Sequence, residues 1–333
     1  MKVQELRQLA SASDREHLEK ALVECYKLIR KAQKEEFDPV ITGILEGKEV
    51  EKKIEGAVSF EELEQQIPVF LQNAYAQNYF APNRVIPKNQ RPKWRFMVKN
   101  YIKVLEKIAP ESENYPKAVK MLTDLYCLIC DACNYYLFST DDPFRSIGWE
   151  QPDLFALVVK KTFAAGYSRE SISHLLLKAT TGGVSRECLK IQQELVLLGG
   201  LRTSDVKYMA IEEAQKLIGE REGKLAGLKK YDDRRYGLQS AIDELCIMIL
   251  IISIDLAEPE TGVEYFFEHV KDRDREITLY RALNVVEWME DDDLWIEVYK
   301  YGLMKKIDPR DSLKAMYNEK KRQKEDAGSS GKM

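Results

Sequence analysis

Apolar residues recur along this chain every three to four positions, the signature of helices that bury one face. Trp94, Met97, Val98, Tyr101, Ile102, Leu105 and Ile108 show it most cleanly, with Lys99, Lys103, Glu106 and Lys107 opposite. Ser13-Asp14-Arg15-Glu16 has capping-box spacing ahead of Leu18, Ala21, Leu22, Cys25 and Ile29, and Asp38-Pro39 is expected to end that helix. Ser59-Phe60-Glu61-Glu62 repeats the signal before Leu63, Ile67, Phe70, Leu71 and Ala74, with a kink or fresh first turn expected at Pro68. A long helix is predicted over 115–138. Two prolines and Gly148 between Asp141 and Pro152 mark a candidate domain boundary.

Beyond that boundary, helices are predicted at about 153–165, 168–179, 185–198 and 204–220. Gly166, Gly182-Gly183 and Gly199-Gly200 stand where left-handed C-terminal caps are expected. Ile172, Leu175, Leu176 and Ala179 form one buried stripe, and Cys188, Ile191, Leu195 and Leu198 the next. Further helices are predicted near 232–257, 262–270, 275–290, 292–305 and 310–325. No segment alternates with the period of a strand. The expectation is an all-α fold with an N-terminal helical region over 1–140, a helical-repeat-like region over 153–325 and a disordered tail over 326–333. In helix length and pairing alone the second half resembles HEAT or armadillo repeats, which implies an α-solenoid of antiparallel pairs; it carries no consensus repeat. An irregular helical bundle is the alternative.

Composition narrows the function classes. The 333 residues carry a net charge of −4, so no global field draws the protein to nucleic acid or anionic membrane, and any such contact must be local. The most apolar run, Leu245–Ile254, is about half the length a bilayer core requires and reads as a central buried helix. The first residues lack an apolar signal core, and six cysteines then imply reduced thiols in a cytoplasmic setting.

Candidate chemistry is sparse. Cys127, Cys130 and Cys133 have the CxxCxxC spacing of a metal or iron–sulfur site, but they fall inside a predicted helix. Each step of three rotates a position by about −60°, so the outer two thiols lie about 120° apart around the axis and about 9 Å apart along it. Core filling is the expected role. His17, His174 and His269 form no metal motif, although Glu170 stands one turn from His174. Gly219-Glu220-Arg221-Glu222-Gly223-Lys224 is one residue short of a phosphate loop, with Leu225 where Ser or Thr is needed. Glu290-Asp291-Asp292-Asp293 suits a helix start. No cofactor, metal or catalytic set is expected.

One segment stands out. Ala81–Arg95 gathers Arg84, Lys88, Arg91, Lys93 and Arg95 with no acidic residue, stiffened by Pro82, Pro87 and Pro92. These five are the candidate residues for an anion or an acidic partner. Alternatively, the loop is a structural crossover whose arginines pair with carboxylates on neighbouring helices while Tyr79 and Trp94 anchor its ends. Tyr75, Tyr79, Phe80 and Trp94 could stack bases or fill the core. The expected function is therefore a non-enzymatic scaffold or protein-interaction module. The alternatives are a nucleic-acid or phosphate binder acting through 81–95, or an enzyme of unrecognised type.

Overall fold

The computed structural model describes residues 3–28, 34, 38, 41–46, 59–272 and 274–330. Among the described residues the regular elements are helical and no strand occurs, so the chain is all-α. It divides into two compact units, residues 1–58 and 59–333.

The first unit holds α1 (Val3–Ala12) and α2 (Arg15–Leu28). Asp14, not Ser13, caps α2 by accepting from the His17 backbone at 2.9 Å. The Ser13 hydroxyl instead closes α1, donating to the Leu9 carbonyl at 2.8 Å. Leu6, Leu9, Leu18 and Leu22 are exposed. Ile29 and Pro39, assigned above to the end of α2, lie outside the described residues.

The second unit begins with α3 (Phe60–Tyr75), opened by the expected Ser59–Glu62 capping box and running unbroken through Pro68. α4 (Trp94–Lys107), α5 (Tyr115–Asn134), the short α6 (Pro143–Ile147) and α7 (Gln151–Ala164) follow. The Tyr115 hydroxyl donates to the Lys161 carbonyl and the Lys161 amine to the Ile108 carbonyl, each at 2.7 Å. These bonds tie α7 to the α4–α5 hairpin across the 141–152 segment, where Pro143, Phe144, Ile147 and Gln151 are buried.

The remaining helices are α8 (Arg169–Thr180), α9 (Lys190–Gly200), α10 (Ser204–Ala226), α11 (Arg234–Asp255), α12 (Pro259–His269), α13 (Arg275–Trp288), α14 (Asp292–Met304) and α15 (Asp311–Ser330). Gly166 and Gly182 have φ of 103° and 89°, the left-handed geometry expected of C-terminal caps. Gly200 does not: it ends α9 in helical conformation, where a Cβ would stand 2.5 Å from Val159. Its role is close packing of α9 on α7. Asp291 caps α14 through the Leu294 amide at 2.8 Å. α15 runs on to Ser330, so residues 326–330 of the tail expected to be disordered are helical; Lys320 pairs with Asp292 and Lys324 with Asp293 on α14.

α11 is the centre of this unit. It packs against α8, α9, α10, α12 and α13, and Leu245 to Ser253 are buried on every side. Among the described residues it alone is long and apolar enough to cross a membrane; here most of that surface is covered by other helices.

One buried group at this centre lacks a partner. Glu194 on α9 is 1% exposed, and neither carboxyl oxygen meets a hydrogen-bond donor. Glu244 of α11 faces it, while Arg281 of α13 lies 2.7 Å from Asp243, 3.8 Å from Glu244 and 3.6 Å from Asp272. Burial, then repulsion from Glu244, raises the Glu194 carboxyl well above its ordinary 4.5. A neutral Glu194 acid can donate to the Glu244 carboxylate, which resolves the missing partner.

Because the folded chain then holds this proton more tightly than the unfolded one, its stabilising contribution is full below about pH 4.5 and lost as pH rises through the raised value. Glu194→Gln, an amide that cannot ionise, is expected to match the parent protein near pH 4.5 and exceed its stability at pH 8 in urea denaturation. Parallel pH profiles for the two proteins would refute the neutral acid.

Candidate functional site

The basic segment is a rigid loop carrying an exposed charge cluster. Past α3 the chain turns through Gln77 at φ 59° and buries Tyr79. Asn83 then organises the loop from within: its side-chain amide donates to the Asn78 and Ala81 carbonyls, both at 2.7 Å. Its side-chain oxygen accepts from the Val85 and Ile86 amides at 2.9 and 2.8 Å. This is the local hydrogen bonding that makes Asn a turn former. Arg91 closes the structure, its Nε donating to the Ile86 carbonyl at 3.0 Å and Nη2 to the Asn83 carbonyl at 3.1 Å. A single 3-10 turn, Arg91–Lys93, leads into α4.

Both ends of the loop are fixed in an aromatic core. Trp94 stacks on Phe138 with ring centroids 3.9 Å apart, and Tyr79 lies 5.2 Å from Phe70 and 6.0 Å from Phe138. α5 stops at Asn134, four residues short of the predicted end, and the extended chain beyond it delivers Phe138 beneath Trp94. Tyr79 and Trp94 are thus the expected anchors. The expected pairing of the arginines with neighbouring carboxylates is not found among the described residues. Arg91 is spent on loop carbonyls, whereas Arg84, Lys88, Lys93 and Arg95 are exposed and make no ion pair there. Arg95 lies over the Phe96 ring at 5.0 Å.

The sequence reading missed the other half of this surface. Tyr135 and Tyr136, which read as the end of a helix, are exposed, and Tyr136 stacks on Phe80 at 5.5 Å with 23° between the rings. Of the four aromatics noted near the loop, Tyr79 and Trp94 are buried. Tyr75 donates to Asp131 at 2.8 Å, and Phe80 is exposed. No local signal marks the end of α5, since Tyr135 to Phe138 continue the helical apolar pattern without Gly or Pro.

Tyr136 also lines a cavity of about 360 Å³, together with Asn134, Thr140, Asp141, Asp142 and Arg186. Its wall is well braced. The Ser185 hydroxyl donates to the Asp142 carboxylate at 2.6 Å, and Gln151 donates to the Gly183 carbonyl at 3.0 Å and accepts from the Ser185 amide at 2.8 Å. Gly183 lies so close to α5 that a Cβ would stand 2.2 Å from the Cys130 carbonyl oxygen.

The other candidates have local structural contacts. Cys130 is buried and Cys127 and Cys133 are half-buried on α5; burial pushes the Cys130 and Cys133 thiols up to about 12, which keeps them protonated. Among the described residues no group of three His, Cys, Asp or Glu could hold a metal ion. His17 pairs with Asp14 at 2.7 Å, and His269 lies 3.4 Å from Glu222 and stacks on Tyr265. His174 is exposed on α8, yet desolvation by its neighbours, and then the nearby Lys178 charge, lowers its pKa. Gly219 and Gly223 lie within α10, so no phosphate loop forms there. No family model, curated protein or solved structure matches this chain.

Arg91 and its neighbours should therefore separate in their effects. Arg91→Ala is expected to cost about 1–3 kcal/mol in chemical denaturation and to speed tryptic cleavage after Arg84 and Lys88, since two charge-assisted bonds are lost. Arg84→Ala should shift stability by no more than about 0.5 kcal/mol.

Proposed function

We propose that this chain is a binding module that engages an anionic macromolecule through the face formed by the 80–96 loop. The observation that carries this reading is the set of four exposed cations, Arg84, Lys88, Lys93 and Arg95, without ion pairs among the described residues of a protein of net charge −4. Four like charges within twelve residues of one loop offer a polyanion several contacts at once, and binding releases the polyanion's counterions. The rigidity of the loop supports it further, because a preorganised surface loses less entropy on binding. The helical-repeat character of residues 153–325 belongs to the same proposal, supported by the packing of consecutive helices α10 on α11, α11 on α12 and α13 on α14.

Immobilised heparin and a fluorescent poly-glutamate peptide probe this face without presuming the natural partner. The triple variant Arg84→Glu/Lys88→Glu/Lys93→Glu is expected to elute from heparin at lower salt and to bind at least tenfold more weakly at about 50 mM salt. Lys229→Glu/Lys230→Glu/Lys300→Glu carries the same change in net charge elsewhere and serves as the control. Equal losses in both variants would leave only a global charge effect and end the proposal.

A second reading, a scaffold for another protein, is favoured by the exposed apolar stripe on α1 and α2: Leu6, Leu9, Leu18 and Leu22. Leu18→Glu/Leu22→Glu should then abolish capture of a crosslinked protein from the native cell, and an unchanged set of captured proteins would count against it.

A further inference from the structure

We propose that the anion taken by this face is a single-stranded nucleic acid, its phosphates on the loop cations, its bases on the Phe80–Tyr136 stack, and one base turned into the cavity beside Tyr136. This inference rests on the anionic-partner reading and deepens it. Phe80 and Tyr136 are 41% and 72% exposed although stacked on each other, so the pair presents aromatic surface to solvent beside a cationic loop. Exposed rings on the segment that leads into a cationic loop are what a flexible polynucleotide requires, since every base has a π face. A duplex keeps its bases paired and offers this platform only its backbone.

The cavity separates a polynucleotide from an acidic peptide. Tyr136 belongs to both the stack and the cavity rim, so a strand lying on the rings passes the opening. It is lined by Asn134, Thr140, Asp141, Asp142 and Arg186; Asp142 is buried and accepts from the Arg145 amide and the Ser185 hydroxyl, while the exposed Asp141 and Arg186 stand 3.9 Å apart at its edge. Asp141 and Asp142 would repel the carboxylates of an acidic peptide. The exposed Asp141 carboxylate can accept from the exocyclic amino and ring N–H groups on a base edge, while Asn134 supplies a donor. At about 360 Å³ the space holds one base and excludes a folded element.

The test is fluorescence anisotropy on the full chain with fluorescein-labelled 12-nucleotide oligo-A and oligo-U RNA, a duplex RNA hairpin and a labelled poly-glutamate peptide. Single strands are expected to bind at least tenfold tighter than the hairpin or the peptide. Phe80→Ala/Tyr136→Ala should weaken single-strand binding by roughly 5- to 150-fold, the range of one base stack. Tyr136→Phe should retain it, and circular dichroism would check that each variant is folded. Binding of the oligonucleotides untouched by the double variant overturns the inference, as does equal or tighter binding of the hairpin. Tighter binding of the peptide overturns it too, yet leaves the anionic-partner reading standing. Binding of no probe overturns both.

Discussion

The need to cover α11 on all sides governs the second unit. From Leu245 to Ser253 its side chains are buried around the full turn, so no single partner helix could shield it. Burial of apolar area at about 25 cal/mol per Å² makes any exposed side costly. α8, α9, α10, α12 and α13 together supply the cover, and the rest of the unit is arranged from them. The same enclosure explains the unusual chemistry at its N-terminal half. Asp243 and Glu244 enter the apolar interior with the helix that carries them; Arg281 pairs with both, and Glu194, whose carboxyl burial drives towards the neutral form, faces Glu244.

A second constraint operates at the opposite kind of place, an exposed loop. Fifteen residues between α3 and the 3-10 turn would ordinarily be mobile, yet Asn83 and Arg91 satisfy the loop's own backbone groups from within. That internal bonding consumes one of five cations and frees the other four from any structural duty. What separates this surface is that the four stand within twelve residues of one loop with no acidic residue among them.

Much of this was legible in the residues. The 3.6-residue period gave the helices, and the Leu245–Ile254 run gave the central one, because both signals are local and repetitive. Trp94 and Tyr79 were readable as anchors from their places at the loop ends. Gly200 was not readable as a packing contact, since its reason is Val159, some forty positions earlier in the chain. The end of α5 was misplaced for the same kind of reason: the pull of Trp94 on Phe138 is tertiary, and it overrides a helical pattern. The candidate site was half visible. Its cations are contiguous in sequence, but Tyr136 and the cavity are brought to them only by folding, and the division of labour between Arg91 and its neighbours depends on which carbonyls lie within reach.

Phe138 has one more implication. It lies two residues from Tyr136 and four from Asp142, and its ring is clamped against Trp94, which stands between Lys93 and Arg95 of the basic loop. The strip bearing the cavity and the strip bearing the cations are therefore bolted to a common hinge pin of aromatic rings. Loosening that pin would let both strips drift in concert, so the surface would fail as one piece while the distant helical core stayed intact.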